Sequence, residues 1–167
     1  ISVHRLKIEP PPGERQLMTT TADGIHVNGS SGTVVIRDCE LTLMGDDCIN
    51  IHGRYYRIVS RPDECSLIVM GENARFSSTA TSPTQDVFQF GSQMNYGGIG
   101  QGQVVSTRIQ GRRIRLVFSQ PLPQDLTVGD YVYDSEVETH SVIENCIFPG
   151  NRARGILAHS DVKIQHC

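Results

Sequence analysis

The sequence predicts an all-β protein, built mainly as a parallel β-helix of at least three turns and interrupted by a small antiparallel β-barrel or sandwich. Residues 23–27 align with residues 47–51, 24 positions later, and residues 154–158 repeat them again. A repeat of about 24 residues suits one turn of a solenoid, because such repeats run from about 20 to 50 residues. The sequence holds no amphipathic run of convincing helical length, so we expect the turns to be built from strands.

The first part of the chain divides into strands and connections in a clear order. It begins with a strand-like alternation at residues 3–8 and a proline-rich connection at 10–13. The approach to the first turn follows at 19–27, then a turn cluster at 28–32 and a second strand region at 33–43. Three consecutive prolines cannot lie inside a sheet, and the Asn, Gly and Ser residues of 28–32 are typical of a turn. The acid pair Asp46-Asp47 opens the next turn, which continues from Cys48 to His52.

The repeat is lost at Gly53 and returns at His140, where residues 141–146 resemble residues 34–39. The sequence therefore predicts that residues 1–53 and 140–167 form the β-helix and that residues 54–139 form an inserted all-β subdomain. Positions 47 and 154 are 107 residues apart, which leaves roughly 83 inserted residues beyond one ordinary turn. Strands are predicted there at residues 55–59, 66–70, 87–90, 113–118 and 126–132, with a glycine-rich turn at residues 97–102.

The cysteines are interpreted as structural. Cys39, Cys146 and Cys167 end the same I-x-x-C phrase, which indicates a column stacked from turn to turn. The five cysteines are an odd number without a C-x-x-C pair, a pattern that disfavours both a disulfide framework and a zinc site. A free cysteine usually packs as a small apolar side chain.

Composition narrows the class of partner. The 167-residue chain has a formal charge of −3, which disfavours nucleic acid and anionic membranes. No apolar run approaches the roughly 18 residues of a membrane helix, so no membrane span is expected. The chain begins at Ile1 and stops within a strand-like run at Cys167, so we interpret it as a piece of a longer protein.

Equivalent positions of successive turns form columns, and one column is charged. Asp23, Asp47 and Arg154 share it, on strands about 4.8 Å apart. An arginine in this position can hold a carboxylate ionised or bind a polar ligand. The inward columns are apolar and contain Ile25, Ile49 and Ile156, with Val27, Ile51 and Ala158 beside them. The candidate substrate-binding residues are Arg154 and the outward-facing His26, Asn50, His52 and His159.

Asp23, Asp46 and Asp47 are the candidate catalytic residues. Each alone has a structural explanation, because Asp is a common turn residue and paired carboxylates can cap a turn or bind Ca²⁺. Together they suit glycoside hydrolysis, in which one carboxylic acid protonates the leaving oxygen and one carboxylate activates water or attacks carbon. Crowded acids shift one another's pKa, so one can stay protonated beside a charged neighbour. The residues themselves leave acid and base unassigned.

The ordered set of motifs resembles the α-1,3-galactosidases of glycoside hydrolase family 110. These motifs are T-T-A-D-G-I-H-V at 20–27, G-D-D-C-I-N-I-H-G at 45–53 and, after the β-rich insertion, R-A-R-G-I-L at 152–157. The resemblance implies a right-handed parallel β-helix and an inverting exo-hydrolase that removes terminal α-1,3-linked galactose, as in blood-group B type glycans, with no metal or other cofactor. Asp23, Asp46 and Asp47 match the family's essential acids. A secreted, periplasmic or cell-surface protein is expected.

Other functions stay open at this point. Family members are much longer, so an isolated segment could be inactive or could self-associate through exposed solenoid ends. A more distant resemblance is to the polygalacturonase-like pectinases, but their G-H-G and R-I-K motifs are missing, which disfavours pectin as a substrate. The alternatives are a non-catalytic carbohydrate-binding or structural β-helix segment, a pectinase-like enzyme and, less favoured, a polysaccharide lyase.

Overall fold

The computed structural model describes residues 1–71, 87–94, 97–134, 139–159 and 161–167. These residues form strands and turns and no helix, which confirms the all-β prediction. Accordingly, this part of the chain has no helix suited to crossing a membrane. Two compact units are present, one of Ile1–Gly53 with Val137–Cys167 and one of Arg54–Glu136. Parts of the predicted insertion, residues 72–86, 95–96 and 135–138, lie outside the described residues.

Fifteen strands are formed by the described residues. In chain order they are β1 (Ser2–His4), β2 (Lys7–Ile8), β3 (Ile25–Asn28), β4 (Gly32–Arg37), β5 (Glu40–Leu41), β6 (Ile49–His52), β7 (Tyr55–Asp63), β8 (Ser66–Gly71), β9 (Val87–Gly91), β10 (Gly98–Gln110), β11 (Arg113–Phe118), β12 (Tyr131–Asp134), β13 (Thr139–Glu144), β14 (Ile156–Ala158) and β15 (Asp161–Gln165).

The first unit contains three sheets whose strands all pair in parallel. Their orders are β1-β4-β13-β15, β3-β6-β14 and β2-β5, and a parallel bridge joins Glu40 to Ile147 beside the last pair. Each pass of the chain adds one strand or bridge to each sheet in turn. We call one such pass a coil: β1 to β3 form the first, β4 to β6 the second, and β13 to β14 the third.

The predicted alignment between coils is confirmed by the strand register. Ile25 pairs with Ile49, and Ile49 pairs with Ile156. In the neighbouring sheet Ser141 pairs with Val34. The 24-residue offset and the return of the repeat after the insertion therefore describe real neighbours.

Left-handed corners break two segments that the sequence predicted as continuous strands. Residues 3–8 are split at Arg5 and residues 33–43 at Asp38, both with φ of 56°. Asn145 and His166 occupy the equivalent corners with φ of 54° and 52°. Non-glycine residues are uncommon in this region, and Asn and Asp are the ones that enter it most readily. Asn145 Nδ2 also donates to Asp38 Oδ1 at 3.1 Å, which ties two corners together.

Apolar side chains fill the space between the three sheets. Ile36, Leu41, Ile49, Ile51 and Ile143 are fully buried there. Burial of this extent is worth about 1.5–3 kcal/mol for each large aliphatic side chain. This core holds the strands that carry the charged column at a fixed spacing.

The cysteine column is partly as predicted. Cys39 and Cys146 are buried in this core, whereas Cys167 is exposed. Burial raises the pKa of Cys146 to about 11. The thiol of Cys146 is therefore protonated near neutral pH, as expected for a structural cysteine.

The second unit is a closed antiparallel barrel with strand order β10-β11-β8-β7-β12-β9, in agreement with the predicted barrel. The glycine-rich turn predicted at residues 97–102 is wrong, because most of it belongs to β10. A Cβ on Gly102 would lie 2.8 Å from the Phe118 ring and 3.0 Å from the Phe90 ring. Glycine is therefore used in this strand to admit two core aromatic rings rather than to turn the chain.

Candidate active site

The charged column is assembled by the backbone ladder between coils. Gly24 N–H donates to the Asp47 carbonyl at 3.0 Å, and Cys48 N–H donates to the Arg154 carbonyl at 3.0 Å. Asp23, Asp47 and Arg154 therefore precede aligned strands on three successive coils. The structure brings together these predicted site residues although Arg154 is 107 positions from Asp47.

Asp47 is buried and held by one arginine. Its Oδ1 accepts hydrogen bonds from the backbone N–H and Nε of Arg154 at 3.0 and 2.8 Å, and its Oδ2 accepts one from Nη2 at 3.2 Å. The Asp47 side chain is 2% exposed, while the Arg154 side chain is 60% exposed. The pKa of Arg154 is raised, first by its hydrogen bond to Asp47 and then by the charge of Asp47. The buried Asp47 carboxylate is thus paired with the charge of the Arg154 guanidinium.

Asp23 is held by neutral donors. Its Oδ1 accepts the Asp47 backbone N–H at 3.2 Å, and its Oδ2 accepts Asn50 Nδ2 at 3.0 Å. Its side chain is 12% exposed. Both oxygens are therefore acceptors, the role of an ionised carboxylate.

Asp46 differs from the other two acids. It is exposed, and no hydrogen bond or salt bridge to it is found among the described residues. One oxygen from each of Asp23, Asp46 and Asp47 lies within 4.8 Å of the others. The site thus contains two fixed carboxylates and one that is free to exchange a proton with a ligand.

Two glycines let the coils approach each other at this site. A Cβ on Gly45 would meet the backbone of Thr20 and Thr21, and a Cβ on Gly24 would lie 2.8 Å from the Cys48 carbonyl oxygen. Sequence reasoning did not assign Gly45 a role. The signal available was its place directly before the acid pair, where a close backbone approach requires the smallest residue.

The outward histidines of the first two coils meet at the edge of the acid group. His26 Nε2 and His52 Nε2 are 2.7 Å apart, and the ring centroids are 4.9 Å apart. His26 Nδ1 lies 3.5 Å from Asp23 Oδ2. On the other side, His52 Nδ1 donates to the Gly53 carbonyl at 2.8 Å. These contacts form a line from Asp23 through both rings to the backbone.

The other candidate residues have different surroundings. Asn50 contacts Asp23, and its own Oδ1 is buried without a hydrogen-bond partner among the described residues. His159 follows β14, is exposed, and its backbone N–H donates to the Ile51 carbonyl at 2.9 Å. Cys48 lies beside the acids, but burial and the charge of Asp47 raise its pKa to about 11. It is therefore a poor nucleophile near neutral pH.

The donors around the acids favour proton chemistry over cation binding. Three carboxylates at this spacing have the separation of a cation site. However, both oxygens of Asp47 and both of Asp23 already accept protein hydrogen bonds. The Arg154 guanidinium also supplies a positive charge. A bound cation would have to displace these donors, so the arrangement suits acid–base chemistry better than cation binding.

Comparison with curated proteins gives relatives of one kind. No protein-family model matches the chain. It is 29% identical over 171 residues to alpha-1,3-galactosidase A of Shewanella woodyi, and 28% identical over 177 residues to that of Akkermansia muciniphila. It is 24% identical over 184 residues to alpha-1,3-galactosidase B of Bacteroides thetaiotaomicron. These alignments cover 98–100% of the chain.

The same alignments cover 27–28% of each relative, so the chain spans about a quarter of the length of the curated proteins that it matches. Within that quarter, the matched region includes the three acids, Arg154 and the barrel sequence. The resemblance inferred from the motifs is confirmed, because curated relatives named alpha-1,3-galactosidase match nearly the whole chain at 23–29% identity and support a glycosidase-like protein.

Proposed function

We propose that this chain is the catalytic segment of an exo-acting α-1,3-galactosidase built on a right-handed parallel β-helix. The three parallel sheets, each gaining one strand or bridge per coil, support the proposed architecture. The observation that carries the function is the group of three carboxylates within 4.8 Å, two held by donors and one exposed without a partner. The proposed substrate is taken from the names of the relatives, which are alpha-1,3-galactosidases.

The proposed roles follow from the hydrogen bonds. Asp46 is the general acid: it donates its proton to the glycosidic oxygen as the bond between that oxygen and C1 of galactose breaks. Asp23 and Asp47, held ionised by their donors, orient a water molecule and take its proton as the water oxygen bonds to C1. Galactose and a free alcohol are released. Asp46 is assigned this role because it is the exposed acid of the three and its carboxylate has no hydrogen bond or salt bridge among the described residues.

Inversion is part of the proposal on the basis of the family resemblance rather than the acid spacing. Carboxyl groups are about 6.5–9.5 Å apart in typical inverting glycosidases, and the nearest oxygens here are closer, within 4.8 Å. The stereochemical outcome can be measured from the anomer of galactose that is released first. Hydrolysis of a terminal α-1,3-linked galactoside by the full-length protein carrying this chain should release β-galactose first, as followed by proton NMR.

Two results would overturn the proposal in different ways. Initial release of α-galactose would mean retention and would remove the single-displacement role of Asp23 and Asp47. A folded full-length protein that binds α-galactosides without cleaving them would instead favour a non-catalytic carbohydrate-binding segment.

A further inference from the structure

The line of contacts from Gly53 to Asp23 fixes where protons must be. A backbone carbonyl only accepts hydrogen bonds, so the 2.8 Å contact to Gly53 requires a proton on His52 Nδ1. The two Nε2 atoms are 2.7 Å apart. This distance requires one proton between them, because two facing lone pairs or two facing N–H groups repel each other.

The other end of the line faces a carboxylate. His26 Nδ1 is 3.5 Å from Asp23 Oδ2. An ionised carboxylate only accepts, so an N–H on His26 Nδ1 makes this contact attractive and a bare nitrogen makes it repulsive. Asp23 also accepts from the Asp47 backbone and from Asn50, and both bonds favour its ionised form. Three protons therefore occupy the four ring nitrogens of the pair.

We infer that His26 and His52 share one proton and, as a pair with a single positive charge, position Asp23 and keep it ionised. This role rests on the proposed function, in which Asp23 helps to activate water. The pair is a positioning device, since it acts on the reaction through Asp23. The two rings hold this proton between them. Because the His26 side chain is 45% exposed, the proton can exchange with water.

The charges packed around the pair are consistent with an extra positive charge. Asp23 precedes β3, Asp46 and Asp47 precede β6, and Arg154 precedes β14. The other titratable groups next to these strands are His159, which follows β14, and the buried Cys48, which precedes β6. Three carboxylates therefore face one arginine, and a cationic histidine pair brings the group closer to neutrality.

Loss of the shared proton must break the line. With two protons for four nitrogens, one of three contacts is lost: the two Nε2 atoms face each other bare, His26 Nδ1 faces Asp23 bare, or His52 Nδ1 faces the Gly53 carbonyl bare. The protonation of the pair therefore controls the placement of Asp23.

Proton counting by NMR tests the pair without any need for activity. In the full-length protein with ¹⁵N-labelled histidine, nitrogen–proton correlation spectra at about pH 6 should show N–H on His52 Nδ1 and His26 Nδ1, with one proton shared by the two Nε2 atoms. Two separate neutral rings would overturn the inference, and this would leave the proposed hydrolysis untouched.

The pH profile of kcat/KM tests the action on Asp23. His52→Asn can still donate to Gly53 but cannot share the proton. A cation beside a carboxylate favours its ionised form, so on loss of the shared proton the acid limb of the profile should move to higher pH while kcat/KM at the optimum falls less than about tenfold. The matched control is His140→Gln, because His140 is an exposed histidine paired with Asp161 on another sheet; its profile should match the wild type.

A second variant, His26→Gln, tests the same inference if His52→Asn does not fold. His26→Gln retains a donor toward His52 and removes the contact with Asp23, so it should move the acid limb in the same direction. An unchanged acid limb in a folded His52→Asn or His26→Gln protein would overturn the inference. Loss of activity on Asp46→Asn substitution, measured in parallel, shows separately that the proposed function holds.

Discussion

Arg154 binds Asp47 through its backbone and its side chain at once. The backbone N–H and Nε both donate to Asp47 Oδ1, at 3.0 and 2.8 Å, and Nη2 donates to Oδ2 at 3.2 Å. Because the two residues belong to neighbouring coils, this single contact joins the strand before the insertion to the strand after it. The buried carboxylate therefore depends on a residue 107 positions away.

Replacing Arg154 should destabilise the protein and reduce activity. Arg154→Leu leaves the buried Asp47 carboxylate without its cation, so the Tm at neutral pH should fall. The Tm of Arg154→Lys should fall less than that of Arg154→Leu, because lysine supplies a charge but not two parallel donors. Since the pKa of Arg154 is raised, its stabilising effect is fully present below its ordinary pKa and is lost only in strong alkali.

Arg152→Leu is the matched control for that series. Arg152 lies two residues away and is exposed, and within the described part of the chain its side chain contacts Met18 Sδ at 3.6 Å. Thermal unfolding of the three variants at pH 7 decides the matter. Equal Tm values for Arg154→Leu and Arg152→Leu would show that the contact with Asp47 contributes nothing measurable.

Asp46→Asn should be sensitive to the leaving group. A general acid contributes about 10²–10⁴-fold when the leaving oxygen needs a proton. On an α-1,3-linked disaccharide the variant should therefore lose activity by about that factor. On an aryl α-galactoside with an acidic phenol as leaving group, the loss should be much smaller, because the phenolate leaves without protonation. Equal losses on the two substrates would contradict the role of Asp46 as acid.

Gly45→Ala should disrupt the approach of the first two coils. The added Cβ meets the backbone of Thr20 and Thr21, which cannot move aside as a side chain would. Overpacking of this kind costs about 1–3 kcal/mol, which urea unfolding can measure. Gly98→Ala is the control, because a Cβ there meets nothing within 4 Å. Similar unfolding free energies for the two variants would contradict the close contact.

Cys48 and Cys146 should resist alkylation until the pH is high. Burial raises the pKa of each thiol from 9.0 to about 11. The folded state therefore holds more protons than the unfolded state between these values, so stability falls as the pH rises from about 9 to about 11. Iodoacetamide labelling read by mass spectrometry at pH 8 should modify the exposed Cys167 and the partly exposed Cys65 first. Rapid labelling of Cys48 in the folded protein would contradict its burial.

Repetition made much of the fold predictable from sequence. Ile25, Ile49 and Ile156 are similar residues at matching points of similar phrases, and the parallel register pairs them as expected. The corners at Arg5 and Asp38 were not predicted, because a left-handed φ at one residue does not change the pattern of apolar residues from which the strands were predicted. The strand at Gly98–Gln110 was missed because its glycines serve two aromatic rings that lie far away in sequence.

The site was predictable at the level of columns but not of side-chain contacts. Alignment placed Asp23, Asp47 and Arg154 together, and the structure does so. Register alone sets His52 beside Asn28 and His26 beside Asn50. The contact between His26 and His52 runs diagonally across this pattern, so it depends on side-chain rotamers that sequence periodicity does not determine.

The most direct measurement is galactose release from a terminal α-1,3-linked galactoside by the full-length protein, in the presence of a chelator. The account predicts that wild-type activity survives chelation and that Asp46→Asn and Asp47→Asn each lower turnover by about 10²-fold or more. Turnover that is unchanged in both folded variants, or that disappears on chelation, would contradict carboxylate acid–base catalysis at this site.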